Sequence, residues 1–355
     1  MAQAVPSYPP AEELTDYMAE RVKLFATAQY GPVSGNAKLK TALANHMVGV
    51  YGGSIQPNNV LISAGCNQAY CLATIALAEA GDEIILPVPY YFNHQMWLEV
   101  LGIKAVHLGC NMSRGGLPEI DEAGRLISKK TKAIVLVTPN NPTGATYPPD
   151  LLRGFFKLCQ KHGIKLIIDE TYKDFLTEQP PHQLFEISDW GGTLIQVYSF
   201  SKCFSLTGYR VGSVIAGENV IESVTKIMDS VAICAPRIAQ DAALYGLEHL
   251  TSWVAEKRNM LKKRRELFNK LFRENNLGFK IISSGAYFAY VEHQYDNKNA
   301  YQVAQDLLDK ENILSLPGTF FGPNQERFLR FAYANITRKE ITDVINRLTV
   351  SFNKP

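Results

Sequence analysis

The sequence lacks the features of membrane-spanning and secreted proteins. Its 355 residues contain no apolar run long enough to cross a bilayer, and no basic N-terminal segment precedes an apolar stretch. We therefore expect no membrane contact and a cytoplasmic location, unless a transit peptide for an organelle has been removed.

A strong excess of either charge is also missing. The formal net charge is +2, and no basic run is interleaved with aromatic residues along a strand pattern. The most basic segment, Lys257–Arg265 (KRNMLKKRR), carries apolar residues at helical spacing, so we interpret it as the solvated face of a helix. The charge pattern argues against a nucleic-acid partner.

Cysteine pairs with the spacing of metal ligands are absent. The six cysteines form no CxxC pair and have no histidines at metal-binding spacing. They predict free thiols in a reducing compartment, with no disulfide framework and no metal site.

Strand and helix patterns alternate through the first two thirds of the chain. Apolar runs predict strands at 60–63, 83–87, 104–108, 131–138, 164–168, 193–198 and 210–216. These runs show no polar alternation, which is typical of a mostly parallel sheet with helices on both faces. We therefore predict a large α/β domain with a sheet of the seven-stranded type.

The pattern changes near Pro236. A long helical stretch over 237–275 precedes short strands and two further helices, which indicates a smaller α+β domain. A chain of this length favours two domains. We predict an N-terminal segment (1–22) that packs with the small domain, a large domain (23–236), and a connecting helix with the small domain (237–355).

Polar side chains follow the ends of several predicted strands. Asn141, Asp169 and Lys202 each come just after an apolar run, and Tyr172 follows Asp169. The turn Gly65–Asn67 joins a strand to a helix N-terminus, where free N–H groups attract anions. Because parallel sheets bind ligands outside the carboxyl ends of their strands, we expect these groups to meet in one site. For Asp169, a structural turn cap is the alternative.

The segment from Val197 to Gly212 contains several polar and charged side chains close together. Its apolar strand ends on Ser199, Ser201 and Lys202, and Arg210 begins the next apolar run. Hydroxyls with a guanidinium can hold a phosphate, and a lysine can offer an amine. The alternative is a solvated turn between two strands.

Together these motifs make the sequence resemble the fold-type I, class I/II aminotransferase family, which depends on pyridoxal 5'-phosphate. The resemblance covers essentially the whole chain in family order. It rests on Tyr30–Gly35 (YGPVSG), Ser63–Gln68 (SAGCNQ), Pro89–Tyr91 (PYY), Asn140–Gly144 (NNPTG), Asp169–Tyr172 (DETY), Ser199–Lys202 (SFSK) with Arg210, Pro317–Gly322 (PGTFFG) and Phe328–Arg330 (FLR).

The resemblance implies a catalytic role for three residues. Lys202 resembles the lysine that forms the Schiff base with the cofactor and later carries a proton. Asp169 resembles the carboxylate that faces the pyridine nitrogen, and Tyr172 resembles the phenol that bonds the ring oxygen. His94 is similar to a histidine that supports this carboxylate in some relatives.

The resemblance also implies a set of cofactor-binding residues. Tyr91 aligns with the aromatic residue that stacks on the ring, and Tyr90 is its rival. Tyr30 resembles a tyrosine that reaches the partner's phosphate site, which implies a homodimer. The full set is Gly65, Cys66, Asn67, Tyr91, Asn141, Asp169, Tyr172, Ser199, Ser201, Lys202, Arg210 and Tyr30.

The substrate would be held by Arg330, Asn141 and Ala4. Arg330 resembles the arginine that grips the α-carboxylate with two parallel hydrogen bonds, and Arg327 is its rival. Ala4 stands where relatives usually have a glycine in a Gly-x-Pro segment, so the resemblance predicts a narrower pocket. Relatives carry a longer segment before this motif, often an arm around the partner.

The activity implied is transfer of an amino group from an L-amino acid to a 2-oxo acid. A β-lyase that acts on cysteine conjugates or cystathionine is the alternative within the same chemistry. A non-catalytic regulatory protein on the same fold is the alternative from another class. No second arginine can be placed for a dicarboxylate side chain, and Tyr8, Tyr90, Tyr287 and Phe288 weakly suggest an aromatic-tolerant pocket.

Overall fold

The computed structural model describes residues 1–177, 181–275 and 277–352. The helices are α1 (Glu12–Arg21), α2 (Phe25–Ala28), α3 (Ala37–Tyr51), α4 (Cys66–Leu77), α5 (Phe92–Val100), α6 (Ile120–Leu126), α7 (Pro149–His162), α8 (Phe200–Cys203), α9 (Glu218–Ala232), α10 (Arg237–His249), α11 (Thr251–Glu274), α12 (Ala300–Glu311) and α13 (Arg338–Phe352). The strands are β1 (Val60–Ser63), β2 (Glu83–Val88), β3 (Lys104–Asn111), β4 (Leu117–Pro118), β5 (Thr131–Val137), β6 (Lys165–Asp169), β7 (Leu194–Ser199), β8 (Gly212–Ala216), β9 (Phe279–Gly285), β10 (Phe288–His293), β11 (Leu316–Pro317) and β12 (Phe328–Ala332).

The large sheet is mostly parallel, which confirms the prediction. Its order is β1-β8-β7-β6-β5-β2-β3-β4. The five strands from β7 to β3 are parallel, whereas β8 runs antiparallel to both β7 and β1. Strand β1 therefore points the same way as the parallel set, and the carboxyl ends of β1, β5, β6 and β7 share one edge of the sheet.

The sheet has eight strands in the described residues, one more than the pattern indicated. The addition is β4, whose two residues pair antiparallel with Cys110 and Asn111 at the end of β3. A two-residue strand leaves no hydrophobic alternation, so periodicity cannot reveal it.

The smaller domain is α+β, as predicted. Its antiparallel sheet has the order β11-β12-β10-β9, and α11, α12 and α13 contact it or one another. The predicted helix 237–275 is divided at Leu250, where the backbone departs from helical geometry (φ −102°, ψ 16°). The division lets α10 pack on the large core while α11 continues to the small sheet.

The core clusters suggest how the chain divides. Ala11, Leu14 and Met18 of α1 pack in the core of the large sheet, as does Ala242 of α10. A separate core begins at Phe268 and includes β9, β10, β12, α12 and α13. The division at residues 22 and 236 stays a prediction, and we propose that the second boundary falls within α11 instead. No described helix is long and apolar enough to span a membrane.

Candidate active site

A cavity of about 560 Å³ lies at the edge where β1, β5, β6 and β7 end. On the opposite side it is lined by the N-terminal segment and by β11 and β12 of the small domain. The sequence-predicted residues that line it are Ala4, Cys66, Asn67, Tyr91, Asn141, Asp169, Tyr172, Ser199, Ser201, Lys202, Arg210 and Arg330. The sheet topology therefore brings residues far apart in the chain to one site.

Lys202 lies in α8, directly after β7. Its Nζ donates a hydrogen bond of 2.6 Å to the carbonyl of Ala4. Burial, together with the positive charges of Arg210 and Arg330, lowers the pKa of Lys202 to about 8 from 10.5. A lowered pKa makes the neutral amine available as a nucleophile near physiological pH.

Asp169 ends β6 and is buried, with 4% of its surface exposed. Its Oδ2 lies 3.3 Å from His94 Nε2, and its Oδ1 accepts a 3.0 Å hydrogen bond from the Thr171 N–H. Burial raises the pKa of Asp169, but the contact with His94 and the Thr171 N–H outweigh burial and hold this pKa below its ordinary value. Asp169 is therefore an ionised carboxylate inside the cavity.

His94 on α5 is fixed by aromatic contacts. Its ring stacks on Tyr70 of α4 at 4.0 Å and meets the edge of Tyr91 at 5.2 Å between ring centroids. These contacts orient the imidazole toward Asp169. The position agrees with a supporting role for His94.

A cradle for an anion lies where β1 turns into α4. Gly65 has φ +87°, and a Cβ there would overlap Arg210 Nη2, so glycine permits the guanidinium to lie against this turn. The N-terminus of α4 offers free N–H groups at Cys66, and the buried Ser199 and Ser201 line the same cavity. Hydroxyls, a guanidinium and helix N–H groups together suit a phosphate.

Arg330 on β12 lies at the other end of the cavity and is 3% exposed. Its Nη1 donates a 2.7 Å hydrogen bond to Asn141 Oδ1, and its Nη2 bonds the carbonyl of Ala2. The guanidinium carbon lies 4.7 Å from the Phe288 ring and 5.1 Å from the Phe321 ring. Burial lowers the pKa of Arg330 to about 10, so the side chain stays a cation at neutral pH.

Residues 2–5 contribute backbone carbonyls to the site. Ala2 O accepts from Arg330, and Ala4 O accepts from Lys202. Arg330 Nη1 and Nη2 thus have partners, whereas Arg330 Nε is buried without a hydrogen-bond partner among the described residues and is available to a substrate carboxylate. Ala4 thus contributes its main-chain carbonyl to the site.

Tyr172 follows β6 and is 4% exposed. Its ring packs at 5.2 Å from Tyr287 and edge-on at 5.4 Å from Phe288. Burial raises the pKa of Tyr172 well above its ordinary value, so the phenol keeps its proton and remains a hydrogen-bond donor.

Some sequence-predicted residues lie away from the cavity. Tyr30 is 76% exposed and does not line this chain's own cavity, and its carbonyl accepts a hydrogen bond from Arg237. The rival residues also lie outside the lining: Tyr90 packs near His107, and Arg327 donates to the carbonyl of Tyr295. Gly65 does not line the cavity either, but its lack of a side chain leaves room for Arg210 in the anion cradle.

Sequence reasoning missed the apolar wall of the cavity, formed by Val5, Phe92, Leu314 and Leu316. The four residues suspected of forming an aromatic pocket are not part of the lining. An apolar residue next to a recognised motif gives no distinct signal, because it also fits an ordinary core position.

Comparison with known proteins places the chain in a family. The family model for aminotransferase class I and II matches residues 5–348. The chain is 28% identical to the aromatic aminotransferase ISS1 of Arabidopsis thaliana, over 98% of this chain and 88% of that protein. It is 30% identical to an aspartate aminotransferase of Pyrococcus horikoshii, over 90% of this chain and 82% of that protein.

Solved structures agree on the fold. A mutant aspartate aminotransferase of Thermus thermophilus superimposes with a TM-score of 0.91 at 25% identity, covering 98% of this chain and 95% of that one. An aromatic aminotransferase of Pyrococcus horikoshii gives a TM-score of 0.93 at 24% identity, covering 99% and 94%. The chain belongs to the class I and II aminotransferase family and is an enzyme that depends on pyridoxal 5'-phosphate.

The residues present fit this cofactor. The turn at Gly65 leaves the space that a side chain would fill, and Arg210 occupies it with its guanidinium available to a phosphate. Asp169 supplies an anion inside the same cavity, and Lys202 supplies an amine of lowered pKa. This set of donors and acceptors matches a phosphorylated pyridine aldehyde.

Proposed function

We propose that the aminotransferase carries its cofactor on Lys202 and transfers an amino group from an L-amino acid to a 2-oxo acid. The observation that supports this most directly is the placement of Lys202 in one cavity with Asp169, Arg210 and Arg330. Lys202 offers an amine to the aldehyde, and Asp169 offers an anion to the ring nitrogen. Arg210 and Arg330 are two separate cations, one for the phosphate and one for the substrate carboxylate.

When bound, pyridoxal 5'-phosphate supplies an electron sink for the pair released at the substrate's α-carbon. Arg330 binds the α-carboxylate through its guanidinium fork, and Asn141 holds the guanidinium in place. Asp169 keeps a proton on the ring nitrogen, and His94 keeps Asp169 ionised. Lys202, once its amine is free, moves the proton at the α-carbon.

The test of this proposal is the half-reaction with an amino acid and no oxo acid. The wild-type enzyme should convert one equivalent of donor to its 2-oxo acid, with loss of the cofactor's visible absorbance. Lys202→Ala should lose this reaction by at least about a hundredfold, because general acid–base and nucleophilic roles both disappear. A matched control is Lys173→Ala, which removes another buried lysine that does not line the cavity. Retained conversion in Lys202→Ala contradicts the proposal.

We also propose a homodimer in which Tyr30 reaches the partner's cavity. Phe25 and Tyr30 are 78% and 76% exposed, and Val231 near the end of α9 is 59% exposed. Hydrogen bonds from Gly31 N to Cys234 Sγ and from Arg237 to Tyr30 O join the two segments. An apolar surface of this kind is typical of a subunit interface.

A cytoplasmic location completes the proposal. All six cysteines are free thiols, and none lies in a disulfide. Free thiols are typical of proteins from reducing compartments.

A further inference from the structure

A chain of hydrogen bonds joins the starts of α5 and α4 beside the cavity. Asn93 Nδ2 donates a 2.8 Å hydrogen bond to the phenol oxygen of Tyr91. The same phenol donates a longer hydrogen bond of 3.5 Å to Asn67 Oδ1. Tyr91 and Asn67 line the cavity, whereas Asn93 lies in a neighbouring groove of about 260 Å³ that also includes Asn67. Asn93 therefore contacts a lining residue without lining the cavity itself.

The direction of each hydrogen bond decides which groups remain for a ligand. An amide NH2 group only donates, and a phenol has a single proton. Burial, together with the negative charge of Asp169, raises the pKa of Tyr91 to about 12, so this proton stays on the phenol at neutral pH. Since Asn93 donates to the phenol oxygen, the phenol proton goes to Asn67 Oδ1. The Asn67 NH2 group is then directed away from Tyr91 and is a donor for the anion cradle at the start of α4.

The ring of Tyr91 is not fixed by packing alone. Tyr91 is half-buried, and its ring lies edge-on to His94 at 5.2 Å and tilted to Phe92 at 5.3 Å between centroids. A half-buried side chain keeps rotamer freedom that a specific contact must remove. The hydrogen bond from Asn93 supplies such a contact at the far end of the ring.

We propose that Asn93 is a positioning residue, which holds the Tyr91 ring in place for stacking on the cofactor and turns the Asn67 amide toward the phosphate. The inference rests on the proposed function, because it assumes that pyridoxal 5'-phosphate binds in this cavity. A ring that is already held in place loses less conformational entropy when a flat aromatic ligand stacks on it. Asn93 thus contributes to cofactor binding through Tyr91.

Asn93→Leu tests the inference, because leucine has nearly the shape of asparagine and makes no hydrogen bond. The groove around Asn93 also includes Met96 and Trp97, so a leucine side chain suits these surroundings. Equilibrium titration of the apoenzyme with pyridoxal 5'-phosphate gives the dissociation constant. This constant should rise about three- to tenfold, as expected for the loss of one neutral hydrogen bond. The visible circular dichroism of the bound cofactor should become smaller, since it depends on a single fixed orientation of the cofactor ring.

Asn269→Leu is the matched control. Asn269 Nδ2 also donates a 2.8 Å hydrogen bond, in this case to Ser284 Oγ, and Asn269 does not line the cavity. The control should show any loss of stability in urea unfolding without a change in the dissociation constant or in the dichroism. An equal rise of the dissociation constant in both variants overturns the inference, and so does an Asn93→Leu variant that binds the cofactor like wild type.

A double-mutant cycle shows whether Asn93 acts through Tyr91. Tyr91→Phe keeps the ring but removes the oxygen to which Asn93 donates, so adding Asn93→Leu should change the dissociation constant by less than about twofold in this background. The full effect of Asn93→Leu in both backgrounds overturns the assignment. A wild-type enzyme that performs the half-reaction, beside an unaltered Asn93→Leu, overturns the inference and leaves the proposed function intact. A wild-type enzyme without the half-reaction overturns the proposed function and, with it, the inference.

Discussion

At the residue scale, the environment of Lys202 favours the neutral, nucleophilic form of its amine. Burial costs more for the ammonium than for the neutral amine, and the nearby guanidinium groups of Arg210 and Arg330 repel a third positive charge. Lys202 Nζ still has a partner, because the Ala4 carbonyl accepts its hydrogen bond. The side chain is thus held in place while its pKa is lowered.

The rate at which the apoenzyme captures pyridoxal 5'-phosphate should therefore depend on pH. Because the pKa of Lys202 is lowered to about 8, the neutral amine predominates above pH 8. We expect the capture rate to rise with pH through about 8 and to level off above it. Stopped-flow absorbance at a series of pH values measures this midpoint.

Substitution of Arg330 tests the cause of that midpoint. Arg330→Met removes one of the positive charges that lower the pKa of Lys202, so the midpoint should move to higher pH. Arg327→Met is the control, since Arg327 is a cation of the same strand region outside the cavity. A midpoint near 10.5 in the unmodified enzyme, the ordinary value for lysine, contradicts the argument.

At the element scale, the turn after β5 and the end of β9 align the two halves of the site. The turn Asn140–Gly144 carries Asn141, which contacts Arg330 on the small sheet. Ser283 Oγ donates a 2.8 Å hydrogen bond to Thr143 O, and a Cβ on Gly285 would overlap Gly144 O. The backbones of the turn and the strand therefore approach closely.

A methyl group at Gly285 should push these elements apart. We expect Gly285→Ala to lower the free energy of unfolding by about 1–3 kcal/mol through overpacking. The kcat/KM should fall by about tenfold or more, because Asn141 and Arg330 lose their alignment. Urea unfolding and steady-state kinetics measure the two effects.

Gly49 in α3 gives the control for the Gly285 substitution. A Cβ on Gly49 meets no atom within 4 Å, so Gly49→Ala should preserve activity and leave stability unchanged or raised. Equal kinetics in Gly285→Ala and wild type would contradict the role given to the contact between the turn and the strand.

Much of the fold was predictable because buried parallel strands are continuous apolar runs. Strand β6 ends at Asp169 and β7 ends at Ser199, so the chain pattern itself indicates which polar groups reach the sheet edge. The same pattern cannot show β4, whose pairing depends on two residues. It also cannot show the division between α10 and α11, because both helices continue the same helical spacing.

The site was predictable where side-chain chemistry is distinctive. Lys202 stood out because an apolar run ends beside it, whereas Arg330 was identified only through the resemblance to the family. The carbonyl contacts of Ala2 and Ala4 were not predictable, since every residue carries a carbonyl and only tertiary structure decides which one reaches a donor. Leu316 was missed because its position opposite Arg330 depends on strand register.

At the scale of the whole molecule, a single chain does not include Tyr30 in its own cavity. The exposed Tyr30, which contacts the start of α10 through Arg237, supports the proposal of a second copy that covers this surface. In a symmetric pair each copy would give Tyr30 to the other, so each cavity would combine two chains.

Mixed dimers test the shared site. Tyr30→Ala and Lys202→Ala should each reduce turnover, by about tenfold or more for the former, through loss of a phosphate contact. Refolding the two variants together should restore about a quarter of wild-type activity, because half of the dimers are mixed and each mixed dimer has one intact site. Activity in the mixture that stays at the mean of the two parents contradicts the exchange of Tyr30.

The identity of the lysine that carries the cofactor is the most direct test of the proposed site. Borohydride reduction of the holoenzyme fixes pyridoxal 5'-phosphate covalently to the amine that holds it, and peptide mass spectrometry locates the label. We expect the label on Lys202, and none on Lys173, which is buried but pairs with Asp174 at 2.6 Å. A label on Lys173 or on any other lysine in place of Lys202 would contradict the assignment of this cavity as the active site.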